Sequence, residues 1–548
     1  MDTSSIQLLG PPELLHDHPR DASNKGKLHV KPPTGLTENK SATFLSTGNP
    51  CLDFFFHVVP NTPSQALTER LELAWKHDDL MALKLICHLR GVRGTGKSDK
   101  EGFYTAASWL HKYHPKTLAC NMKWNADFGY FKDWRYSRDP DYRFLHDQIS
   151  QVFADHLVSD MKYMNDGEIG KISLAAKWCP YLDSAFDKTT LLCESISKRV
   201  FPRSDLYPEY DGIEEAHYAY RVRDRLRKEV LVPLHKILDL PEIYMSSKQW
   251  ESLPYGRVAS VAITKYKKHF LKHDEKRFNE FLSKVGKGEA KIAAGALFPH
   301  EIIKSLDDGE ADGGQVAELQ WKRMVDDLSM KGKLKNCIAV CDVSGSMNGT
   351  PMGVCVALGL LLSELSEHPW KGRVITFNEN PQLHKIEGND LRSKTGFIED
   401  MDWGTNTDFQ KVFDVLLEVA IAGNLDKEKM IKKIFVFSDM EFDEAKWDSS
   451  DSDEWNSSES GAWNTDYEVI KRKFENYGYK VPEIVFWNLR ESKSTPVPSD
   501  QQGVGLVSGF SKNLMSLFLD NEDNIGSPEA VMELALIGPE YKQLVVVD

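Results

Sequence analysis

Oxygen-bearing side chains occur at three separated places in the C-terminal half of the chain, near short apolar runs. Asp342-Val343-Ser344-Gly345-Ser346 follows the run KNCIAVC, and Ser438-Asp439 ends the run KKIFVFSD. Between them, Gly404-Thr405-Asn406-Thr407-Asp408 precedes a helical pattern. Ligands of open α/β sheets gather at the carboxyl ends of parallel strands, so we expect these side chains to meet. Carboxylates and hydroxyls are oxygen ligands suited to Mg²⁺ or Mn²⁺, which predicts a divalent-cation site.

These motifs, in this order and spacing, resemble the metal-ion-dependent adhesion site of a von Willebrand factor A (vWA) domain. The resemblance implies that two serines and a threonine coordinate the metal directly, while two aspartates usually act through water. It also implies an open coordination position that takes a carboxylate, an exposed Asp or Glu, from a protein partner. Either Thr405 or Thr407 could supply the threonine. With Thr405 in that role, the implied metal site consists of Asp342, Ser344, Ser346, Thr405 and Asp439.

The rest of the sequence offers no convincing catalytic constellation. It contains no Gly-x-Ser-x-Gly motif, and no cysteine stands near a plausible histidine partner in sequence. A vWA-type metal site has no built-in nucleophile or general base, so bound metal there indicates adhesion before catalysis. We therefore predict a non-enzymatic interaction scaffold.

A glycine-rich motif in the N-terminal part, Gly91–Ser98, matches the phosphate-binding pattern G-x-x-x-x-G-K-S at every specified position. A phosphate-binding loop needs a buried strand before it and a helix after it. The preceding segment, 79–90, has helical rather than strand spacing. The pattern therefore favours a basic loop between two helices, and an ATP- or GTP-binding protein is the least favoured alternative.

Basic residues of the N-terminal part indicate a possible phosphate-binding surface, because several lie close together beside aromatic side chains. Asp224 and Glu229 are interleaved with them, so a solvated, salt-bridged surface is the competing interpretation. A third interpretation is a surface that docks the acidic C-terminal domain. The candidates for nucleic-acid binding are Arg90, Arg93, Lys97, Arg221, Arg225, Lys228, Lys268 and Lys272.

The C-terminal part must supply the strands that position the metal site. Its short β-branched or aromatic runs alternate with helical patterns, which indicates βαβ units and a mostly parallel sheet over 333–548. One stretch departs from this alternation. The segment 446–464 is rich in serine and acidic residues and is predicted to be a disordered insertion.

The N-terminal part shows helical spacing throughout with short connections, which favours stacked helix pairs. We predict a flexible leader over 1–45, an α-helical repeat-like domain over 46–306 and an acidic linker over 307–332.

Net charge also differs between the C-terminal part of the sequence and the rest. From Asp342 onwards there are 19 basic and 36 acidic residues, a net charge of −17. The remainder has 49 basic and 46 acidic residues, a net charge of +3. Two domains with different partners would account for this asymmetry.

The order of a helical domain before a vWA domain resembles the Ro autoantigen (TROVE–vWA) group, whose helical-repeat module binds RNA. A closer likeness is to an uncharacterised two-domain family of plants, fungi and large DNA viruses, which has no activity to transfer. The likeness rests on Arg90–Lys97, Phe128–Trp134, Lys177–Pro180, Tyr220 with the arginines after it, and Trp250 with Tyr255–Ser260. It implies structured RNA as an alternative partner, although no Ro-type residue site can be placed here.

The predicted fold class is therefore α plus α/β. An N-terminal α-helical repeat-like domain of HEAT or TROVE type precedes a C-terminal vWA domain with a doubly wound, mostly parallel sheet.

Composition is that of a globular protein: 41% of the 548 residues are hydrophobic and 27% are charged. These values exclude wholly disordered, collagen-like and coiled-coil classes. No apolar run approaches the ~18–20 residues that span a bilayer, and no secretory signal is recognisable. Eight scattered cysteines without a Cys-x-x-Cys motif are typical of free thiols in a reducing compartment. We predict a cytoplasmic location, with the nucleus as the alternative, and neither a membrane nor DNA as partner.

Overall fold

The computed structural model describes residues 33–38, 42–128, 143–182, 184–307, 312–377, 381–401, 409–442, 470–519 and 525–548. The 446–464 insertion, both candidate threonines of the 402–408 loop and most of the 1–45 leader lie outside these residues.

Packing divides the described chain into two compact units. The sheet unit comprises the described residues of 24–108 and 259–542, and the helical unit comprises those of 109–258 and 543–548.

The helices, in chain order, are α1 (Pro50–His57), α2 (Ser64–His77), α3 (Asp79–Arg90), α4 (Lys100–Tyr113), α5 (Pro115–Phe128), α6 (Arg143–Asn165), α7 (Ala175–Trp178), α8 (Ala185–Thr190), α9 (Leu192–Val200), α10 (Glu215–Arg225), α11 (Val232–Leu238), α12 (Pro241–Ser246), α13 (Ser260–Gly286), α14 (Pro299–Lys304), α15 (Gln315–Ser329), α16 (Thr350–Leu365), α17 (Leu391–Glu399), α18 (Phe409–Ala422) and α19 (Pro528–Ala535). The strands are β1 (Thr34–Leu36), β2 (Ala42–Phe44), β3 (Cys337–Asp342), β4 (Arg373–Phe377), β5 (Gln382–Lys385), β6 (Lys433–Ser438), β7 (Glu483–Asn488) and β8 (Val504–Ser508).

A six-stranded sheet in the order β5-β4-β3-β6-β7-β8 forms the centre of the sheet unit. Neighbouring strands are parallel except for β5, which runs antiparallel to β4. Every residue of the central strands β3 and β6 is buried. Strands that are covered on both faces have continuous apolar sequences, and such runs led to the prediction of a mostly parallel sheet. The predicted α plus α/β class is confirmed.

Helix α16 connects β3 to β4 and packs directly on β3. Gly349, with a φ of +91°, forms its N-cap, and a proline occupies its first turn. A Cβ atom at Gly359 would lie 2.4 Å from Cys341 Sγ, so the helix approaches the strand closely because this position is glycine. The loop between β3 and α16, which carries the predicted serines, is therefore held at both ends.

Helices α1–α3 belong to the sheet unit, whereas the sequence interpretation placed them in the helical domain of 46–306. The end of α1 is bonded to the sheet: Asn488 Nδ2 donates to Phe56 O at 3.1 Å, and Ser508 Oγ donates to Phe55 O at 2.8 Å. Helical periodicity predicts that a segment is a helix but not the surface on which it packs. The boundary between the units therefore differs from the predicted one.

Two segments that were predicted to be irregular contain regular structure. Helix α15 occupies most of the predicted linker 307–332 and buries Trp321 and Met324. In the predicted leader, β1 and β2 pair as an antiparallel hairpin, and Phe44 N donates to Thr495 O at 3.1 Å. Both predictions were wrong for these stretches, because polar composition obscured the few apolar positions that pack.

The helical unit includes a short segment, 543–548, that is bound to the start of α5. Asp548 Oδ1 accepts hydrogen bonds from the main-chain nitrogen of Thr117 at 2.9 Å and from its hydroxyl at 2.6 Å. Asn121 bonds both main-chain polar groups of Val545, as donor at 2.7 Å and acceptor at 3.0 Å. The segment thus caps a helix whose first N–H groups would otherwise lack partners.

Candidate metal centre

Two buried aspartates come together at the carboxyl ends of β3 and β6. These strands are parallel neighbours in a register that pairs Cys341 with Phe437. Asp342 is the last residue of β3 and Asp439 directly follows β6, and their exposed fractions are only 2% and 1%. Adjacent parallel strands place their carboxyl ends at one edge of the sheet, which explains why residues distant in sequence meet here.

The two predicted serines lie beside Asp342 in the loop that follows β3. Ser344 N donates to Asp342 Oδ1 at 2.9 Å, which turns the chain back towards the strand end. A 3₁₀ turn, Gly345–Met347, then brings the Ser344 and Ser346 hydroxyl oxygens within 3.0 Å of each other. The structure therefore brings Ser344 and Ser346 together beside Asp342.

Burial and, after it, the negative charge of Asp439 together raise the pKa of Asp342 to about 6. Hydrogen bonds to Ser344 and Ser438 oppose this shift. Removal from water and the neighbouring charge of Asp439 thus disfavour the ionised form of Asp342, and a cation bound between the two side chains would relieve this repulsion.

One buried oxygen of this site accepts no hydrogen bond from the described residues: Asp439 Oδ2. This oxygen forms an ion pair with the Arg490 guanidinium, whose Nη1 lies 3.5 Å away. A buried carboxylate oxygen without a hydrogen bond is costly unless something absent from the protein chain binds it.

The donor set fits Mg²⁺ or Mn²⁺. It consists of carboxylate and hydroxyl oxygens, which these hard cations prefer. Among the described residues, no group of three or more His, Cys, Asp or Glu side chains is arranged so that it could hold a metal ion. The fifth implied ligand, Thr405, and its alternative Thr407 lie outside the described residues.

Sequence reasoning missed two residues of this site. Ser438 Oγ donates to Asp342 Oδ2 at 2.6 Å, although only its neighbour Asp439 was selected. Arg490 follows β7, and its Nη1 donates to Ser346 O at 3.0 Å. The serine could have been found from its position at a strand end, but finding the arginine requires knowing that β7 lies next to β6.

The glycine-rich loop 91–98 does not have the geometry of a phosphate-binding loop. It follows helix α3 rather than a strand, as the sequence predicted, and α4 begins soon after it. Its main-chain N–H groups are used internally: Lys97 N donates to His88 O at 3.0 Å and Ser98 N to Gly91 O at 3.0 Å. A Cβ atom at Gly96 would lie 2.2 Å from Gly91 O. These glycines permit close backbone packing, and the amides do not face a ligand.

Lys97, which would contact phosphates in such a loop, is buried with 1% exposure. Its ammonium group donates to the main-chain oxygens of Phe55 and Val58 and, at 2.7 Å, to Ser508 Oγ. Phe55 and Val58 lie at the C-terminal end of α1, where carbonyl groups lack helical partners and a positive charge is favourable. Lys97 therefore joins α1 to the end of β8.

Two of the basic residues that were selected for nucleic-acid binding are inaccessible. Arg90 and Lys97 have exposed fractions of 3% and 1%, because the loop and the end of α3 pack into the sheet unit. Their selection was wrong, since sequence spacing does not distinguish a buried cation from an exposed one. The candidates that are exposed are Arg93, Arg221, Lys228, Lys268 and Lys272, and Arg225 is half-buried.

Two of these candidates, Arg225 and Lys228, are held in ion pairs. Arg225 contacts Glu209 at 2.7 Å and Glu229 at 2.8 Å, and Lys228 contacts Asp224 at 2.7 Å. The competing interpretation of a salt-bridged surface is thus confirmed for these two residues. A nucleic-acid phosphate would have to displace these carboxylates.

Two family models match this chain. The model described as Domain of unknown function (DUF2828) matches residues 37–135 and 134–334, and the one described as Domain of unknown function (DUF7788) matches residues 336–538. The "Uncharacterized protein L728" of Acanthamoeba polyphaga mimivirus is 30% identical over 524 residues, which cover 89% of this chain and 85% of that protein.

Among solved structures, the chain is similar to that titled "Crystal structure of Deinococcus radiodurans RO (RSR) protein". The similarity has a TM-score of 0.37 at 12% sequence identity and covers 90% of this chain and 99% of that chain. A TM-score of this size does not establish a shared fold.

No helix among the described residues combines the length and the apolar character that crossing a membrane requires.

Proposed function

This chain belongs to the family described as Domain of unknown function (DUF2828). We propose that it is a non-enzymatic interaction scaffold. The 333–548 region is a vWA-like domain with a metal-ion-dependent adhesion site. The site binds Mg²⁺ or Mn²⁺, and the metal receives an exposed Asp or Glu of a protein partner. The metal is held by Asp342, Ser344, Ser346, Thr405 and Asp439.

The observation that carries this proposal is the pair of buried aspartates with an unsatisfied oxygen. Asp342 and Asp439 are both almost fully buried, and Asp439 Oδ2 accepts no hydrogen bond from the described residues. A divalent cation would neutralise the two carboxylates and bind that oxygen. Because the remaining ligands are neutral hydroxyls and water, the cation would still attract one further anion.

The chemistry of the site favours binding over catalysis. Its described donors are carboxylates and the hydroxyls of Ser344 and Ser346, which lie within hydrogen-bonding distance of each other. No described donor is placed as an activated nucleophile with an adjacent base. The bound metal would therefore hold a partner carboxylate in place.

The test is divalent-dependent binding of acidic peptides to the full chain. An array of peptides that carry Asp or Glu, each matched by its Asn or Gln counterpart, is probed in Mg²⁺, in Mn²⁺ and in EDTA. We expect binding of acidic peptides only with metal, and its loss in the double variant Asp342→Ala, Ser344→Ala.

A matched control replaces the exposed Asp500 and Ser283 by alanine and should bind like the parent. Binding that is unchanged in EDTA, or that does not distinguish Asp from Asn peptides, would disprove the adhesion role.

RNA binding by the basic N-terminal part stays a prediction. The exposed residues Arg93, Arg221, Lys268 and Lys272 are the ones left to carry it. It is tested by the mobility shift of a structured RNA by the full chain, which should weaken steeply as salt rises. Absence of a shift at low salt would reject it.

A further inference from the structure

Arg490 follows the carboxyl end of β7, where hydrogen bonds from two successive main-chain N–H groups position its backbone. Leu489 N donates to Ser438 O at 3.0 Å, and Arg490 N donates to Asn488 Oδ1 at 3.2 Å. Asn488 is itself buried and donates to Phe56 O at 3.1 Å. The backbone of Arg490 is therefore well positioned, and only its long side chain has freedom to move.

The guanidinium of Arg490 contacts the candidate metal centre from the solvent side. Its Nη1 donates to Ser346 O at 3.0 Å and lies 3.5 Å from Asp439 Oδ2. The Asp439 side chain is 2% exposed, whereas that of Arg490 is 46% exposed. A half-exposed cation on a long, rotatable side chain thus faces a buried anion.

The position of the guanidinium conflicts with a bound divalent ion. A cation coordinated at or near Asp439 would lie close to a group that is always positively charged. Like charges at such short range repel strongly when one side of the pair is shielded from water. The 3.5 Å separation from Asp439 is longer than a good hydrogen bond, so a stronger cation could displace the arginine.

We propose that Arg490 is the resident counter-cation of this site, an inference that rests on the proposed metal-binding function. In the absence of metal, its guanidinium offsets the charge of Asp439 and stabilises the strand ends. When Mg²⁺ or Mn²⁺ binds, the side chain moves towards solvent. The arginine thus lowers the affinity for divalent ions, so that the site is occupied only when the metal concentration is high enough.

A purely structural role for Arg490 makes a different prediction. If the side chain only held the Ser346 loop, its removal would destabilise the protein equally with and without metal, and metal affinity would fall or stay unchanged. The counter-cation role predicts destabilisation in EDTA alone, together with a gain in metal affinity.

The experiment uses the full chain as parent, Arg490→Gln, Arg490→Lys and the control Arg221→Gln, which removes an exposed arginine outside the sheet unit. Calorimetric titration with MnCl₂ gives the dissociation constant, and thermal unfolding in EDTA and in saturating Mn²⁺ gives Tm.

We expect Arg490→Gln to bind Mn²⁺ roughly threefold to tenfold more tightly than the parent does. Its Tm should be lower than that of the parent in EDTA and equal to it in saturating Mn²⁺. Arg490→Lys should lie closer to the parent, and Arg221→Gln should match it.

The possible outcomes separate this inference from the proposed function. If the parent binds Mn²⁺ and Arg490→Gln binds no more tightly, the counter-cation role is wrong and the metal site stands. If only Arg490→Gln binds, the counter-cation role is supported and the parent site is not a metal site under these conditions. If neither binds, both proposals are wrong.

Discussion

Ser438 Oγ donates a 2.6 Å hydrogen bond to Asp342 Oδ2 and so links the carboxyl ends of β6 and β3. Since Ser344 N bonds the other oxygen, both oxygens of Asp342 are satisfied. Asp439 Oδ1 accepts a hydrogen bond of 3.2 Å from Glu441 N, whereas its Oδ2 accepts none from the described residues. The two aspartates therefore differ: both oxygens of Asp342 accept hydrogen bonds, while Asp439 Oδ2 is paired only loosely, with Arg490 Nη1 at 3.5 Å.

The raised pKa of Asp342 predicts a pH-dependent stability in the absence of metal. Its pKa of about 6 in the folded protein exceeds the ordinary 3.8, so the folded state favours the protonated carboxyl. The resulting stabilisation is complete below pH 4 and is lost as pH rises through about 6. The shift corresponds to about 3 kcal/mol.

Urea unfolding in EDTA between pH 4 and pH 7.5 measures this loss in the parent and in Asp342→Asn, which cannot ionise. The parent should lose stability relative to Asp342→Asn as pH rises, and saturating Mn²⁺ should reduce the loss because a cation favours the ionised carboxylate. Asp500→Asn, at an exposed position, should follow the parent. Parallel curves for the parent and Asp342→Asn would refute this prediction.

Most of the candidate site could be predicted from the sequence because strand ends carry positional information. Asp342 and Asp439 each follow a continuous apolar run, and parallel strands must place such ends at one edge. Arg490 could not be predicted in the same way. Its approach depends on strand order and on a side-chain conformation, and neither leaves a local pattern in the sequence.

The fold could likewise be predicted where a local sequence pattern marks an element, and not where it depends on contacts between distant residues. Continuous apolar runs identified β3 and β6, whereas the packing of α1 on the sheet depends on contacts between residues more than 400 positions apart, such as Phe56 with Asn488. Short-range periodicity cannot report such contacts. The same limit explains why Lys97 resembled a ligand-binding residue when it is a buried structural one.

Lys97→Met is expected to destabilise the sheet unit by about 3 kcal/mol, because it removes a buried donor shared by Phe55 O, Val58 O and the Ser508 hydroxyl. Phe55 O keeps the hydrogen bond from Ser508 Oγ. The midpoint of urea unfolding, followed by tryptophan fluorescence, measures the effect. Arg93→Met, in the same loop but exposed, should change stability by less than about 0.5 kcal/mol. A midpoint for Lys97→Met equal to that of the parent would show that the ammonium group has no structural role.

Gly96→Ala tests whether the glycines of the 91–98 loop serve backbone packing. The added Cβ would lie 2.2 Å from Gly91 O, a distance that requires the backbone to shift. We expect a loss of about 2 kcal/mol or more, as for strained core positions. At Gly170 an added Cβ meets nothing within 4 Å, so Gly170→Ala should be close to neutral. Equal unfolding midpoints for the two variants would contradict the packing interpretation.

Asp548 is expected to stabilise helix α5 through its carboxylate. It accepts hydrogen bonds from Lys116 N at 3.0 Å and from Thr117 N at 2.9 Å, and its negative charge lies at the positive end of the helix dipole. Asp548→Ala removes both effects and should cost about 1–2 kcal/mol, as loss of a helix cap does. Asp548→Asn keeps an acceptor but not the charge and should cost less.

Hydrogen exchange of the amides in the first turn of α5 locates the effect, because these amides should exchange faster in Asp548→Ala than in the parent. They should exchange at the parent's rate in Asp211→Ala, an exposed control in the helical unit. Unchanged exchange in that turn would mean that the segment 543–548 does not cap α5 in solution.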